Sequence, residues 1–473
     1  MLRRKRTLKG SITVFLSLLL AIVLAAVFVL LEAARVWGLE KKTVTDAVQT
    51  SNSLLAEYSQ ELWEDYHLLF LDASYGTDTF SVSAAEERAL TFSERNLDVY
   101  ALTSGIAVSS TWNLFGMEAA EAEITGYELA TDSGGAAFCQ EAAALMESEI
   151  TSDVIESIYE YIMESEETED SADSDDGEEE TDLEVTLTEN PIDVIKNLRA
   201  GGVLAVVLTD EAVSEKEIDL SDTLSERSLQ TGTYETSIWS GSWTERILFH
   251  EYLLSYYDNC SGDAEGKVLD YELEYLIAGK STDEANLKAV VNRLILIREA
   301  ANYAYLQTDT EKKELALAVA AAISAAALSP ELIPVIKQAV LAAWAYAESL
   351  SDVRLLLSGE KVALVKTSDQ WNTDILNLSS SISSGGKSSK SGLTYEQYLH
   401  LLLWASDDED LAYRAMDLIE LNEDIRMDTQ IAAFEGTCTY TGSPLFSAFV
   451  TIGSGKPGTY YFQQEIAGTY LTQ

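Results

Sequence analysis

Cysteine is scarce in this chain, and its scarcity removes whole classes of site. Only three cysteines occur in 473 residues: Cys139, Cys260 and Cys438. They lie far apart, with no CxxC pair and no Cys/His cluster, which excludes a structural zinc site and a scaffold built from disulfides. Two readings remain open, namely one disulfide with a free thiol, and three semi-buried thiols.

Basic residues are also few. The chain has 31 Lys and Arg against 79 Asp and Glu, which gives a formal net charge of −48 at pH 7. Binding to a phosphate backbone needs a basic surface, so nucleic acid is excluded as a partner. A strongly acidic surface is typical of a soluble extracellular domain, and it disfavours close contact with anionic lipid beyond an anchor.

The three histidines give no catalytic or metal-binding signature. His67, His250 and His400 each lie on a predicted helix among Leu, Phe or Tyr, where we expect core or boundary positions. His250 and Glu251 begin like a zinc-protease motif, but Leu254 occupies the position of the second histidine.

Two further patterns fail in the same way. Asp270, Glu272 and Glu274 lie close together, as glycosidase carboxylates would, but chance proximity is expected in a chain with 79 acids. The sequence GSGKPGT at 453–459 hints at a phosphate loop, yet Pro457 replaces the required Ser or Thr, so a hairpin turn is predicted. We therefore expect no enzyme, no catalytic residue, no metal and no cofactor.

One long apolar run is present near the start of the chain. Ile12 to Leu31 is twenty residues without a charge, and fifteen of them are Leu, Ile, Val or Phe. A helix of this length rises about 30 Å, the thickness of a bilayer's hydrocarbon core. Its insertion is favourable by roughly 5 to 9 kcal/mol. The run predicts a transmembrane helix from Ile12 to Leu31, with the lipid bilayer as its partner.

The flanks of this run predict its orientation. Five basic residues and no acid precede it, so the positive-inside rule keeps the N-terminus in the cytoplasm and exports the rest. A cleaved signal peptide has an apolar core of about 7–15 residues closed by a small-x-small site, which this longer run lacks. We predict a permanent single-pass anchor in the cell membrane. The first residue of the native protein distinguishes three cases. A start at Met1 indicates a plain anchor, a start at Ser11 a processed leader, and a start beyond Ala34 a secreted domain.

The rest of the chain predicts an α+β, mainly α, fold. Helical spacing continues from the membrane run to Leu69 as a stalk, and the C-terminal part reads as a β-hairpin. Residues 164–182 hold twelve acids and no base, which predicts disorder. The run VLAVVL at 203–208 predicts a buried strand. The predicted regions are a basic leader (1–11), the transmembrane helix (12–31), the stalk with a small mixed region (32–163), an acidic disordered linker (164–190), a mainly helical domain (191–375), a Ser/Gly-rich loop (376–392), and helices with the hairpin (393–473).

The N-terminal pattern resembles a known family. The basic leader, the junction Lys9-Gly10-Ser11-Ile12-Thr13-Val14, the apolar helix and its amphipathic continuation resemble TadE/TadG-like pseudopilins of tight-adherence (Tad) pili. The resemblance implies that Gly10 and Ser11 form a candidate prepilin-peptidase junction. One position departs from the pattern, because Phe15 stands where pilins carry the Glu that meets a neighbouring subunit.

The stretches 269–306 and 344–371 are similar to an uncharacterised family of membrane-anchored proteins of Gram-positive anaerobes, often encoded beside Tad pilus genes. This resemblance implies a non-catalytic, single-pass envelope protein that is pseudopilin-like or assists Tad-type pilus assembly, with pilus or envelope proteins as partners. The alternatives are a membrane-anchored extracellular adhesin or sensor and, third, an anchored enzyme.

Overall fold

The computed structural model describes the chain with several gaps. The described residues are 10–77, 79–97, 116–170, 183, 185–208, 213–262, 266–383, 386–390, 392–446 and 458–471. Most of the basic leader (1–9), most of the acid-rich run (171–182 and 184) and most of the GSGKPGT turn (453–457) lie outside these residues.

Helices dominate the described chain, as the sequence predicts, and they accompany one small antiparallel sheet. The helices are α1 (Gly10–Leu55), α2 (Gln60–Tyr66), α3 (Val82–Leu97), α4 (Asp132–Glu149), α5 (Ser152–Asp170), α6 (Pro191–Gly201), α7 (Leu204–Val207), α8 (Trp243–Tyr256), α9 (Glu272–Ala278), α10 (Asp283–Thr308), α11 (Thr310–Ala327), α12 (Ile333–Leu357), α13 (Leu378–Ser383), α14 (Tyr395–Trp404) and α15 (Asp408–Glu423). The strands are β1 (Leu71–Asp72), β2 (Met117–Leu129), β3 (Gln430–Gly442) and β4 (Tyr460–Thr469). The predicted α+β class and the C-terminal hairpin of β3 and β4 are confirmed.

The chain divides into two compact units. The sheet unit contains Met1–Asp132, Gln230–Ser237 and Arg426–Gln473, and the helical unit contains Ser133–Leu229 and Ile238–Ile425. Both are discontinuous in sequence, unlike the consecutive regions that the sequence suggests. The reason is β3, which pairs with β2 across some three hundred intervening residues.

The sheet unit is built around β3. Strand β2 pairs along one edge of β3, while β1 and β4 pair with successive stretches of its other edge, all antiparallel. Buried and exposed side chains alternate along β2, which is the pattern of a sheet with one face in the core. Helices α1 and α3 pack on this sheet and on each other. The core of the unit therefore lies between the sheet and these two helices.

Helix α1 is unbroken for 46 residues and changes character along its length. From Ile12 to Leu31 its large apolar side chains are 42 to 70% exposed. Beyond this part, a helically spaced stripe is buried in the sheet unit, comprising Leu39, Thr43, Asp46, Ala47, Thr50 and Leu54. The helix ends at Leu55 rather than continuing to Leu69, because Tyr58 pairs with Leu71 in an isolated bridge and α2 begins anew at Gln60.

Asp46 of α1 joins this helix to α3 and to the sheet. Its carboxylate accepts hydrogen bonds from Ser93 Oγ of α3 at 2.5 Å and from Tyr440 OH of β3 at 2.8 Å. All three side chains are fully buried. Burial raises the pKa of Asp46, although the two hydroxyl donors and Lys42 oppose the rise.

The helical unit is organised around α12, which is almost wholly buried from Val340 to Leu356. Helices α10, α11, α6 and α7 pack against it. At its centre Arg298 pairs with Asp352, and Lys366 contacts both Asp352 and Glu348, so two cations balance two acids. Burial opposes the ionised form of Asp352, but Lys366 and Arg298 outweigh it and hold the pKa below its usual value.

Three local predictions differ from the structure. Helix α5 runs to Asp170, into the predicted linker 164–190, because glutamates are good helix formers. In the predicted Ser/Gly-rich loop 376–392, residues Leu378–Ser383 form α13. The predicted strand 203–208 is wrong, since Leu204–Val207 is the short helix α7; a short apolar run fits a buried helix as well as a buried strand.

Candidate functional site around His400

A cleft of about 500 Å³ lies within the helical unit. Three helices, α5, α8 and α14, supply most of its wall, and Lys361 contributes from the segment after α12. The remaining lining residues are Asp153, Val154, Ser157, Ile158, Tyr161, Glu251, Leu254, Thr394, Glu396, Gln397 and His400. The size is within the range of small-ligand sites.

Helix α5 contributes one face to this cleft. Asp153, Ser157 and Tyr161 recur every four residues, with Val154 and Ile158 beside them. Residues at this spacing lie on one side of a helix. This face has a polar row and an apolar pair side by side. It can therefore contact both the polar and the apolar part of an amphipathic ligand.

Helix α14 presents His400. Thr394 caps the helix, since its hydroxyl accepts from Gln397 N while Gln397 Oε1 accepts from Thr394 N. This capping box fixes where the helix begins and which face turns inward. His400 then lies inside the second turn, fully buried at the floor of the cleft.

The His400 ring joins the other two helices through one nitrogen. Nδ1 is 2.8 Å from the hydroxyl of Tyr161 on α5 and 3.1 Å from Oε1 of Glu251 on α8. Its Nε2 is buried without a hydrogen-bond partner. The ring of His250 stands edge-on to His400, with centroids 5.6 Å apart.

A second row of charged side chains lies behind His400. His250 Nε2 is 3.7 Å from Asp408 Oδ1, beyond hydrogen-bond range. Arg246 binds Asp408 with Nε at 2.9 and 3.1 Å from the two carboxylate oxygens, and it stacks over Trp404 at 4.4 Å. Burial lowers the pKa of His250 to about 4, so His250 is neutral near pH 7.

The cleft itself is acidic. Three carboxylates, Asp153, Glu251 and Glu396, face one lysine, Lys361. Burial raises the pKa of Glu396, and repulsion from Glu251 raises it further. A positively charged group entering the cleft would relieve that repulsion.

The chemistry available in the cleft is limited. Burial raises the pKa of Tyr161, and the negative charges of Glu251 and Glu396 add to the effect, so its hydroxyl stays protonated. Across the part of the chain that the structure describes, no group of three or more His, Cys, Asp or Glu side chains is arranged to hold a metal ion. The arrangement is suited to binding a polar or cationic group.

The acids at 270–274 are held by different partners. Glu272 accepts from Asn422 Nδ2 at 2.8 Å and from Lys267 Nζ at 3.3 Å. Glu274 accepts from Tyr395 OH at 2.6 Å, and Asp270 pairs with Lys216 at 2.6 Å. Each carboxylate has its own separate partners, as expected for chance proximity.

The N-terminal positions lie in α1. Gly10 is its first residue, Ser11 and Ile12 follow in the first turn, and Leu31 ends the exposed apolar part. By length and composition, α1 is the one helix among the described residues that could cross a membrane, and a signal sequence passes the same test. The helix therefore fits a membrane anchor.

The cleft is not evident from the sequence. Tyr161, Glu251, Glu396 and His400 come from three separated segments, and their convergence depends on helix packing. The signal that was available is weak, namely a histidine and glutamates on amphipathic helices in a chain rich in acids. His400 and His250 are fully buried, as expected from the sequence, but His67, for which the same was expected, is exposed at the left-handed end of α2.

Comparison with known proteins gives one match. The model of a family of unknown function, DUF5702, matches residues 181–442, more than half of the chain. The chain therefore belongs to this family. No match was found among curated proteins or solved structures. The matched span includes α8 and α14 but neither α5 nor α1.

Proposed function

We propose that this DUF5702 protein is a non-catalytic, single-pass cell-envelope protein that serves Tad-type pilus assembly as a pseudopilin-like or accessory component. The observation that carries the proposal is the continuity of α1. One helix supplies both an exposed apolar segment of membrane length and the buried stripe from Leu39 to Leu54.

This continuity is suited to a subunit that is held in the membrane before it is incorporated into an assembly. No linker separates the apolar segment from the sheet unit, so movement of the helix moves the folded unit with it. The pseudopilin-like pattern around Gly10 supports the same role. Phe15 favours an accessory role rather than a role as a subunit of the filament shaft. Its side chain has no carboxylate to pair with the charged N-terminus of a neighbouring subunit.

The orientation in this proposal has the N-terminus in the cytoplasm and the bulk of the chain outside. It is supported by the basic residues before Ile12, which favour retention on the cytoplasmic side. The acidic composition of the rest of the chain fits an extracellular surface.

A non-catalytic role is supported by the chemistry of the His400 cleft. The hydroxyl group bonded to His400 belongs to Tyr161, and the raised pKa of that hydroxyl makes it a poor nucleophile. Glu251 and Glu396 both line the cleft, in an arrangement that does not divide them into an acid and a base.

Deletion of the gene from a piliated host tests the role in pili. We expect loss of surface pili, restored by the wild-type chain and also by a Glu251→Gln/Glu396→Gln variant, which alters the cleft alone. Co-purification of the chain with pilus machinery is the second expected result. Normal piliation in the deletion strain contradicts the proposal.

Mass spectrometry of the native N-terminus tests the anchor. A start at Met1 or at Ser11 leaves Ile12–Leu31 in the chain and supports the anchor. A start beyond Ala34 overturns it, because the mature protein would then lack the apolar segment.

The second candidate function is an anchored adhesin or sensor, which the acidic cleft favours. Its ligand would carry an ammonium or guanidinium group, placed among Glu251, Glu396 and Tyr161. Calorimetric titration of the full chain with a lysine- and arginine-containing peptide tests it. Binding that is lost in the Glu251→Gln/Glu396→Gln variant, together with normal piliation of the deletion strain, would favour this candidate.

A further inference from the structure

The segment Ser443-Pro444-Leu445-Phe446, which follows β3, is held against α1 at the end of its exposed apolar part. Glu32 is the first residue after Leu31, and its carboxylate accepts from Phe446 N at 2.8 Å and from Leu445 N at 3.2 Å. The same carboxylate accepts from Tyr460 OH at 2.7 Å. Glu32 is 5% exposed, so these donors hold a buried carboxylate in place.

A second residue of α1 holds the beginning of the segment. Arg35 Nη1 donates to Ser443 O at 2.8 Å and to Glu32 Oε1 at 3.1 Å. Arg35 lies one turn beyond Glu32, so the two residues hold the segment at both of its ends. The height of the segment along α1 is thereby fixed.

Phe446 lies against the apolar part of α1. Its ring stacks on that of Phe28, with centroids 5.1 Å apart and planes 6° apart. Phe28 is three residues before Leu31, or about 4.5 Å along the helix axis. Phe446 is therefore level with the last turn of the apolar segment.

The two apolar side chains of the segment remain open to their surroundings. Leu445 is 60% exposed and Phe446 is 48% exposed, while Glu32 behind them is buried. Exposed Leu and Phe beside one another cost free energy in water. At the boundary between hydrocarbon and headgroups, the same side chains are stabilising.

We propose that Leu445 and Phe446 form a second membrane contact, inserted into the outer boundary of the bilayer that α1 spans. The proposal rests on the proposed anchor, because α1 sets the depth of the segment. The occupant is lipid, since the segment is continuous with the lipid-facing surface of α1. The contact is made by apolar side chains, so the acidic charge of the protein does not oppose it when the lipid is neutral.

Spin labels in the full-length chain test the proposal. Leu445→Cys is labelled in a Cys260→Ser background, because Cys139 and Cys438 are buried while Cys260 is partly exposed. The chain is reconstituted in phosphatidylcholine vesicles. Collision of the label with oxygen, which concentrates in hydrocarbon, is compared with collision with a water-soluble nickel chelate.

Two matched sites on α1 calibrate the measurement. Leu20→Cys, 58% exposed, lies in the middle of the apolar segment. Val48→Cys, 57% exposed, lies about 25 Å beyond Leu31 along the helix. We expect an oxygen-to-nickel collision ratio at Leu445 that is several-fold above the ratio at Val48 and below the ratio at Leu20.

Other outcomes separate the possible failures. If Leu445 matches Val48 while Leu20 reports hydrocarbon, the anchor stands and the membrane contact is overturned. If Leu20 also matches Val48, the anchor itself fails and the contact falls with it. Spin–spin broadening at Leu445, with low collision with both reagents, shows that a second copy covers the segment and overturns lipid as the occupant.

Discussion

Arg298 and Asp352 form an ion pair in which neither side chain has any exposure, with Arg298 Nε 3.0 Å from Asp352 Oδ2. Arg298 Nη1 also donates to Leu364 O at 2.7 Å and to Tyr398 OH at 3.1 Å. The pair joins α10 to α12 at the centre of the helical unit. A buried charge of this kind is tolerated only while its partners are present.

Removing Arg298 should therefore be severe. We expect Arg298→Met to lower the free energy of unfolding by about 3 to 5 kcal/mol, because Asp352 is left buried with one cation in place of two. Arg199→Met is the matched control. Arg199 pairs with Glu299 at 3.4 Å, but the Arg199 side chain is 55% exposed. The control should change stability by about 1 kcal/mol or less. Equal losses in urea denaturation would contradict the argument.

Asp46 should make the sheet unit sensitive to pH. Because burial raises its pKa in the folded chain, the folded state holds the proton more tightly than the unfolded state does. Its contribution to stability is greatest below its ordinary pKa of 3.8 and is lost as the pH rises through the raised folded value. Asp46→Asn keeps an acceptor for Ser93 and Tyr440 but does not titrate, so its stability relative to wild type should increase from pH 4 to pH 7.

Asp46→Ala separates this charge effect from the hydrogen bonds. The change leaves the buried hydroxyls of Ser93 and Tyr440 without their acceptor, which costs about 2 kcal/mol or more. Thermal melts of the wild type and both variants across pH 4 to 7 provide the measurement. Equal melting temperatures for the Asn and Ala variants at every pH would show that the hydroxyl contacts contribute nothing.

His250 should give the helical unit the opposite dependence. Its folded pKa is about 4, below the ordinary value of 6.5, so the unfolded chain binds a proton first as the pH falls. The stability of neutral His250 is complete above pH 6.5 and is lost between pH 6.5 and 4, by about 3 kcal/mol.

His250→Phe removes that titration while keeping an aromatic ring beside Trp404 and His400. We expect its melting temperature to fall less than that of the wild type between pH 7 and pH 4.5. His67→Asn, at a left-handed helix end that Asn tolerates, is the control and should keep the wild-type slope. An unchanged slope in His250→Phe would count against the assignment.

The three cysteines should be unreactive in the folded chain. Burial raises the pKa of the Cys139 and Cys260 thiols, and it raises the pKa of Cys438 to about 11. Alkylation near pH 7.5 should therefore be slow at all three, since the thiolate is the reactive form. After denaturation without reductant, mass spectrometry should find three alkylated thiols. Finding one would reveal a disulfide.

Local sequence patterns were sufficient to predict the apolar part of α1 and the C-terminal hairpin. The apolar run predicts the exposed part of α1, and the Tyr- and Thr-rich end predicts the hairpin. The strand predicted for the short run at 203–208 is wrong, because so short an apolar run fits a buried helix equally well. The end of α1 at Leu55 was missed because a tertiary bridge, and no helix breaker, sets it.

The sheet unit and the His400 cleft could not be predicted from local patterns. Tyr440 meets Asp46 across 394 positions, and His400 meets Tyr161 across 239. No property of the residues near Asp46 in sequence indicates Tyr440 as its partner. These contacts depend on which helices and strands pack together, which a single sequence does not specify.

The construction of the sheet unit has a consequence for the order in which the chain folds. Helix α1 is synthesised well before the strands that cover its buried stripe, because β3 begins only at Gln430 and β4 follows it. The helical unit takes all its segments from Ser133–Ile425 and can fold before those strands exist. Closure of the sheet unit thus follows synthesis of all the segments of the helical unit. Any truncation before β3 removes the strands that pack on this stripe and leaves α3 to contact α1 without the sheet.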